Sequence, residues 1–363
     1  MSKLHELNDL GQSIWLDYIR RSMMETGELH QMLDDGLRGM TSNPAIFEKA
    51  IAHSDDYDQQ LRELFGQNGL TTVDIYEALA IRDIQQAADT LLPIYEESDG
   101  LDGYVSLEAN PHLATNAQGT IEEIHRLRQA VNRPNVMYKI PATPQGIQAV
   151  EALISEGVNV NVTLMFSMKH YEDVALAYIA GLEKYAASGG DVHTVASVAS
   201  FFISRVDVML DPLFIEKGKP ELAGKIGIAN SKAVYQRFKE LFGTDRWQNL
   251  ATKGARVQRP LWASTGTKNP EYSDVLYVDH LIGANTVNTI PPDTLEAFLD
   301  HGVIAATVEA DLNTVTQQLE AVASLGVDLN EVGETLQQEG VEKFNKPFDL
   351  LLQAIESKRT TLQ

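Results

Sequence analysis

Eight short apolar segments, each followed by residues with helical spacing, predict an α/β fold for this sequence. Strands that alternate with helices along a chain form parallel sheets, and eight such units favour closure into a barrel. The sequence contains no Gly/Ser/Pro-rich linker and no internal repeat. We therefore predict a single (β/α)8 TIM barrel with additional helices, in which residues 1–363 form one domain.

The competing fold is an open, doubly wound sheet. Sheets of that type that bind dinucleotides carry a Gly-rich phosphate-binding turn directly after the first strand. No such turn follows the first predicted strand, at residues 12–17. Its absence favours the barrel.

The predicted strands are short, and most run into a polar residue or a proline. They cover residues 12–17, 36–44, 103–111, 135–143, 158–164, 194–200, 259–266 and 287–291. The predicted helices between them carry apolar residues three or four positions apart. They cover residues 18–30, 55–66, 73–92, 116–131, 145–156, 168–186, most of 203–251 and most of 293–363.

Composition excludes several classes of site and partner. The 363 residues include no cysteine, which rules out disulfides, thiolate nucleophiles and Cys-type zinc sites. A formal charge of −22 disfavours binding to nucleic acid or to anionic membranes. The sequence has no apolar run of membrane-spanning length and no apolar core near its start, so we expect a cytoplasmic protein. An anionic ligand would need positive charge placed locally in its pocket.

Polar residues at the ends of the predicted strands are the candidates for an active site, because barrel enzymes carry theirs at the carboxyl ends of the strands. These residues are Asp17, Thr41, Asn43, Glu108, Lys139, Asn161, Thr163, Ser200 and Ser264. No histidine ends any of these strands, which favours a mechanism without a metal ion. We expect no cofactor. The sequence also lacks the Gly-x-Ser-x-Gly turn typical of serine hydrolases.

Lys139 is the central candidate, because it lies in an apolar strand between Met137, Tyr138 and Ile140. Burial favours the neutral amine, which can attack a carbonyl and form a Schiff base. The alternative is a structural lysine paired with a carboxylate. A structural lysine is the more common case when this strand is considered alone. The polar residues at the ends of the other strands favour a catalytic lysine instead.

Asp17 and Glu108 can divide the proton transfers that Schiff-base chemistry requires. Each also has a structural interpretation: Asp17 as the cap of a following helix, and Glu108 as the counter-ion of Lys139. Asn43 and Asn161 can bind sugar hydroxyls. Asn43 is equally typical of a turn, whereas an asparagine such as Asn161 is unusual inside a strand.

A second group of residues suits an anion. Arg205 follows Ser200 in an otherwise apolar stretch, and Ser264 and Lys268 belong to a polar segment after the seventh strand. Loops after strands seven and eight of such barrels often bind phosphate. The alternatives are a helix cap for Ser200, a surface ion pair for Arg205 and an ordinary polar loop for Lys268.

Taken together and in this order, the motifs resemble those of the transaldolase family, specifically its longer bacterial-type branch. The resemblance covers nearly the whole chain. The matching stretches are Trp15-Leu16-Asp17, Thr41-Ser42-Asn43-Pro44, Ser106-Leu107-Glu108, residues 138–143, residues 159–167, and Ser200 with Phe202 and Arg205. Ser42 and Ala45 depart from the pattern of the best-known branch, and Lys268 lies where that branch has an arginine.

The resemblance implies a transferase of the pentose phosphate pathway that moves a dihydroxyacetone unit from sedoheptulose 7-phosphate to glyceraldehyde 3-phosphate. The products are erythrose 4-phosphate and fructose 6-phosphate. It implies Lys139 as the Schiff-base residue and Asp17 as the proton-transfer group. Glu108 and Thr163 would position a water. The resemblance also implies Asn43, Asn161 and Ser200 as contacts to the three-carbon unit and Arg205 as a phosphate ligand. Thr41, Ser264 and Lys268 are further expected substrate contacts because of their positions at the strand ends, and Lys268 also because of its charge. The expected partners are sugar phosphates, and the protein is a monomer or a homodimer.

Two other functions remain open at this point. A Schiff-base aldolase would use the same lysine but release the three-carbon unit to water. A non-catalytic barrel that binds sugar phosphates is the third possibility, and intact Lys139, Asp17 and Glu108 argue against it.

Overall fold

A computed structural model of the chain describes residues 2–362. Eight parallel strands, β1 to β8, pair in sequence order, and β8 pairs with β1 to close the sheet. They are Gln12–Asp17, Gly39–Thr41, Tyr104–Glu108, Val136–Pro141, Val160–Met165, Ser197–Phe202, Arg259–Ala263 and Thr286–Ile290. The predicted (β/α)8 barrel is therefore confirmed.

The helices pack around the barrel and across its carboxyl-terminal end. In chain order α1 to α16 are Lys3–Asp9, Arg21–Glu25, Glu28–Asp34, Pro44–Ala52, Asp58–Phe65, Thr72–Glu97, Ala117–Val131, Pro144–Ile154, Met168–Ala187, Ser204–Glu216, Ile226–Leu241, Asp245–Ala251, Leu276–Asp279, Pro292–His301, Leu312–Ser324 and Leu329–Leu362. None of the helices within residues 2–362 is long and apolar enough to cross a membrane.

Several predicted boundaries were wrong, for local reasons. The single helix predicted over residues 18–30 is two short helices, α2 and α3, because Gly27 adopts a left-handed φ of 82° between them. The strand predicted over residues 36–44 shrinks to β2. The strand predicted over 259–266 ends at Ala263, since Ser264 turns away with a φ of 57°. The sixth strand begins at Ser197, after a short 3-10 helix at Val192–Thr194.

Polar residues directly after three strands start the next helices. The Asn43 side chain accepts a hydrogen bond from the Ile46 backbone N–H at 3.1 Å, and Pro44 is the first residue of α4. Thr143 and Ser167 cap α8 and α9 in the same way. Such caps satisfy N–H groups that have no partner within the helix. The caps therefore hold the strand ends in place around the mouth of the barrel.

The inside of the barrel is packed with apolar side chains above a buried ion pair. Trp15, Tyr104 and Leu261 belong to this inner cluster and are almost fully buried. At the amino-terminal end, the Arg259 guanidinium contacts the Asp102 carboxylate at 2.9 Å and donates to the Ser13 hydroxyl at 2.8 Å. Both charged side chains are less than a tenth exposed, so each depends on the other for its charge compensation.

Arg259→Met is expected to lower the free energy of unfolding by about 3–5 kcal/mol, because it leaves the Asp102 charge buried and unpaired. The control is Arg246→Met, which removes an ion pair to Glu183 whose side chains are more than 40% exposed. That change should cost less than about 1 kcal/mol. Urea denaturation of both variants makes the comparison, and equal losses would contradict the structural role given to Arg259.

Asp207 links α10 to α11 and α13 through hydrogen bonds. Its carboxylate, on α10, accepts hydrogen bonds from the Gly227 N–H at 2.7 Å and the Tyr277 hydroxyl at 2.9 Å. Burial raises the pKa of Asp207 to about 7. The ordinary aspartate pKa is about 3.9, so between the two values the folded protein binds more protons than the unfolded chain. The contribution of Asp207 to stability therefore falls as the pH rises through this window.

Asp207→Asn imitates the protonated carboxyl, so its stability relative to the wild type should improve as the pH rises. We expect the difference to grow by about 2–3 kcal/mol between pH 5 and pH 8. Urea titrations at both pH values measure it, with Asp293→Asn, at an exposed position, as the control variant. A constant difference across this range would show that the Asp207 carboxyl is already ionised in the folded protein at pH 5.

The last helix, α16, crosses the carboxyl-terminal end of the barrel. The Gln337 amide donates to the Ala142 carbonyl at 2.9 Å and to the Leu164 carbonyl at 3.0 Å. The Ala142 carbonyl directly follows β4, and the Leu164 carbonyl lies near the end of β5. Leu164 has a left-handed φ of 60°. A buried side chain thus fixes the position of α16 over the strands that carry Lys139 and Thr163.

Candidate active site

A cavity of about 230 Å³ opens at the carboxyl-terminal ends of the strands. Nine of the residues predicted for the site line this cavity, and they come from six different strands or the segments that follow them. They are Asp17, Thr41, Asn43, Lys139, Thr163, Ser200, Arg205, Ser264 and Lys268. The other two, Glu108 and Asn161, are buried and contact residues of the lining.

Lys139 lies at the base of the cavity, and only 5% of the residue is exposed. Its Nζ donates a hydrogen bond to the Ser42 carbonyl at 3.0 Å and lies 3.2 Å from Glu108 Oε2. The ring of Phe344, on α16, is centred 5.8 Å from the same nitrogen. The amine is thus held by two polar contacts and covered by an aromatic ring.

Glu108 is the nearest carboxylate to this amine across the β3–β4 pair, in which the two residues are register partners. Burial raises the pKa of Glu108; the charge of Lys139 opposes this rise, and that of Asp17 adds to it. A carboxylate whose pKa is raised can take a proton from a neighbouring ammonium group. The pair therefore places a proton acceptor beside the nitrogen that acts as the nucleophile.

Thr163 flanks Lys139 on the other side, at the end of β5. Its hydroxyl is buried and has no hydrogen-bond partner within residues 2–362. The Glu108 oxygen nearest Lys139 likewise accepts no well-aligned hydrogen bond from this part of the chain. Buried polar groups are usually paired, and a buried water is a common partner. Two unsatisfied groups on either side of the amine support a bound water there.

Asp17 faces the cavity from the end of β1 and does not cap a helix, because α2 begins at Arg21 and has no side-chain cap. One carboxylate oxygen accepts a hydrogen bond from the Thr41 hydroxyl at 2.7 Å, and that hydroxyl also contacts the Thr289 hydroxyl. Burial raises the pKa of Asp17, and the charge of Lys139 opposes this rise. These features suit a group that takes up and returns a proton.

Asn161 and Ser200 form a hydrogen-bonded pair beside Lys139. The Ser200 hydroxyl donates to Asn161 Oδ1 at 2.6 Å, and Asn161 Nδ2 donates to the Ser106 hydroxyl at 3.0 Å. Ser200 lines the cavity, whereas Asn161 is fully buried in the free protein. Ser200 is therefore part of a polar network, not a helix cap. The substrate contacts assigned to both residues stay predictions.

The outer part of the cavity is positively charged. Arg205 and Lys268 line it together with Ser264, whose hydroxyl lies 2.9 Å from that of Ser204. One terminal nitrogen of Arg205 is buried and has no hydrogen-bond partner within residues 2–362. This nitrogen therefore does not take part in a surface ion pair, which was the alternative interpretation of Arg205. An unpaired, buried guanidinium nitrogen is a strong indication of an anionic ligand.

Eight residues of the lining were not predicted as part of the site: Ala45, Phe202, Ala263, Gly266, Thr289, Pro291, Lys343 and Phe344. Thr289 could have been found, because it lies near the end of the eighth predicted strand. Lys343 and Phe344 could not, because they belong to a helix far along the chain whose placement depends on tertiary packing.

Comparison with known proteins places the chain in a family. A family model described as transaldolase/fructose-6-phosphate aldolase matches residues 14–355. The chain belongs to this family. It is 47% identical to a transaldolase of Trichodesmium erythraeum over 369 residues, which cover 98% of this chain and 97% of the relative. It is also 46% identical to transaldolases of Saccharopolyspora erythraea and Neisseria meningitidis, over 97–98% of this chain and 97–99% of theirs. The family predicted from the motifs is confirmed.

Proposed function

We propose that the chain is a transaldolase that acts through a Schiff base on Lys139. It moves a dihydroxyacetone unit from sedoheptulose 7-phosphate to glyceraldehyde 3-phosphate, and the products are erythrose 4-phosphate and fructose 6-phosphate. The observation that carries the proposal is the buried amine of Lys139 beside Glu108, at the base of a cavity that also holds Asp17.

The chemistry follows from this arrangement. The Lys139 amine attacks the ketone carbon, and the carbinolamine loses water to give an iminium ion, with Glu108 and Thr163 holding the water. Asp17 takes the proton of the hydroxyl beside the bond that breaks, and the bonding electrons pass to the iminium as an enamine. The aldehyde product leaves. The enamine then attacks the acceptor aldehyde, Asp17 returns the proton, and water releases the product ketose.

The charge of the cavity supports a phosphorylated substrate. Among the described residues that line it are Lys139, Arg205, Lys268 and Lys343, against one carboxylate, Asp17. The whole chain carries a formal charge of −22. Positive charge concentrated in one cavity of an acidic protein attracts anions to that place.

The cover over Lys139 favours transfer over hydrolysis. A transferase must keep water from the enamine until an acceptor binds, whereas an aldolase releases the three-carbon unit. Phe344 and the crossing helix α16 cover the amine. Product analysis with fructose 6-phosphate tests this directly. We expect sedoheptulose 7-phosphate only when erythrose 4-phosphate is added, with little free dihydroxyacetone. Dihydroxyacetone released at the same rate without an acceptor would instead establish an aldolase.

We also propose that the enzyme works in the cytoplasm, as a monomer or a homodimer. Its substrates are charged and do not cross membranes unaided, so they are consumed in the compartment where they are made. The absence of cysteine agrees with a reducing compartment.

A further inference from the structure

The helix α16 brings an additional charged pair to the mouth of the active site. Lys343 lines the cavity, and its Nζ donates a hydrogen bond to Glu339 Oε2, one turn earlier on the helix, at 2.7 Å. The two side chains are about half exposed, at 55% and 43%. The Lys343 ammonium is thus free to exchange Glu339 for another anion.

Glu339 acts on a second cation of the same cavity. Burial lowers the pKa of the Arg205 guanidinium, and the negative charge of Glu339 opposes this effect. The backbone of α16 packs against the same arginine: a Cβ atom on Gly340 would lie 3.6 Å from Arg205 Nη1. The Glu339 carboxylate therefore pairs with Lys343 and adds negative charge near Arg205, and both cations line the same cavity.

The position of this pair is set by the fold. The two hydrogen bonds of Gln337 tie α16 to the Ala142 and Leu164 carbonyls at the strand ends. Glu339 and Lys343 follow two and six residues later on the same helix. The buried hydrogen bonds of Gln337 therefore set the distance of Glu339 and Lys343 from the barrel mouth, although these two side chains are exposed.

We propose that Lys343 is a further ligand for the substrate phosphate, and that Glu339 occupies Lys343 while the phosphate is absent. This inference rests on the proposed function. In the transfer reaction the first aldehyde leaves with its phosphate, and the acceptor must bring its own phosphate to the same cations. While no phosphate is bound, the Glu339 carboxylate pairs with the Lys343 ammonium group. The incoming phosphate then displaces Glu339 from Lys343. Phosphate is the stronger competitor because it offers more acceptor oxygens and more negative charge.

The simpler interpretation is a surface pair four residues apart that stabilises the helix slightly. The two interpretations differ in what happens when the charge of Lys343 is removed. A pair that only supports the helix has no influence on the KM for a phosphorylated substrate.

The first test is Lys343→Met, with Lys346→Met as the matched control. Lys346 is exposed on the same helix and does not line the cavity. We expect the KM for fructose 6-phosphate to rise about ten-fold in Lys343→Met, with kcat changed less than about two-fold. The KM for unphosphorylated fructose should change less than about two-fold. Lys346→Met should match the wild type, and a Lys343→Met KM equal to that of the control overturns the proposal.

The second test is Glu339→Gln, with the exposed Glu342→Gln as its control, and inorganic phosphate as the probe. Removal of the competing carboxylate should lower the inhibition constant for phosphate roughly three- to ten-fold. The effect should be smaller when Lys343 is already methionine, and the remainder reflects the charge of Glu339 near Arg205. Weaker phosphate inhibition in Glu339→Gln, or an effect of undiminished size in the double variant, contradicts the exchange between Glu339 and phosphate.

Borohydride reduction with fructose 6-phosphate separates failure of this inference from failure of the proposed function. If the wild type forms no adduct on Lys139, the Schiff-base function itself is wrong. If the adduct forms and Lys343→Met needs no more fructose 6-phosphate than Lys346→Met to reach half-maximal labelling, only the role of Lys343 is wrong.

Discussion

Lys139→Met is expected to abolish covalent trapping of a ketose and to reduce turnover by roughly four orders of magnitude or more. Methionine has a similar length and fills the buried site, but it has no amine to form a Schiff base. Glu108 loses its counter-ion in this variant. Because burial already raises the pKa of Glu108, we expect this carboxyl to accept a proton, which lets the fold tolerate the change.

The control for this variant is Lys169→Met, which removes an exposed lysine on α9 that pairs with Asp173. Both variants should show the circular dichroism spectrum of the wild type, and the control should retain full activity. If Lys139→Met kept substantial turnover while folded, the assignment of Lys139 as the nucleophile would be wrong.

Asp17→Asn is expected to keep trapping but to slow carbon–carbon bond cleavage by about 10²–10⁴-fold, the usual contribution of a proton-transfer group. Asparagine retains an oxygen that can accept the Thr41 hydrogen bond, so the site should keep its geometry. It cannot take up the substrate proton. The Schiff base should therefore form and accumulate without releasing the aldehyde product.

Single-turnover experiments with fructose 6-phosphate separate the two steps, because they follow adduct formation and glyceraldehyde 3-phosphate release independently. In the wild type, kcat/KM should fall on the acid side as Asp17 becomes protonated, at a pH above the ordinary aspartate range because burial raises the pKa of Asp17. The variant should lose this limb, whereas the exposed Asp293→Asn should keep it. Cleavage at the wild-type rate in Asp17→Asn would exclude Asp17 as the base.

Much of the fold could be predicted because strands and helices leave different spacings of apolar residues in the sequence. The strand at 12–17 was predicted with the bounds that β1 has. The errors concern short elements whose ends are set by single residues. Gly39 in β2, for example, lies against the Trp15 ring, which a Cβ atom would approach to 2.7 Å. No periodic pattern in the sequence reports a contact of that kind.

The part of the site that the strand ends form could be predicted, because a closed barrel brings these ends together for any conformation of the loops. Lys139 and Asp17 are examples, and both line the cavity. The contribution of α16 could not be predicted, because Lys343 is ordinary in composition and spacing. Its position depends on where Gln337 finds its two carbonyl acceptors, and that is a property of the folded chain.

Borohydride reduction of the protein with fructose 6-phosphate, followed by peptide mass mapping, tests the Schiff base on Lys139 without relying on turnover. We expect a stable adduct, of the dihydroxyacetone unit or the hexose, on the peptide that contains Lys139. Reduction without the ketose gives the background. If the folded protein carries no adduct on Lys139 with ligand in excess, the Schiff-base mechanism is contradicted, and a barrel that only binds sugar phosphates becomes the better description.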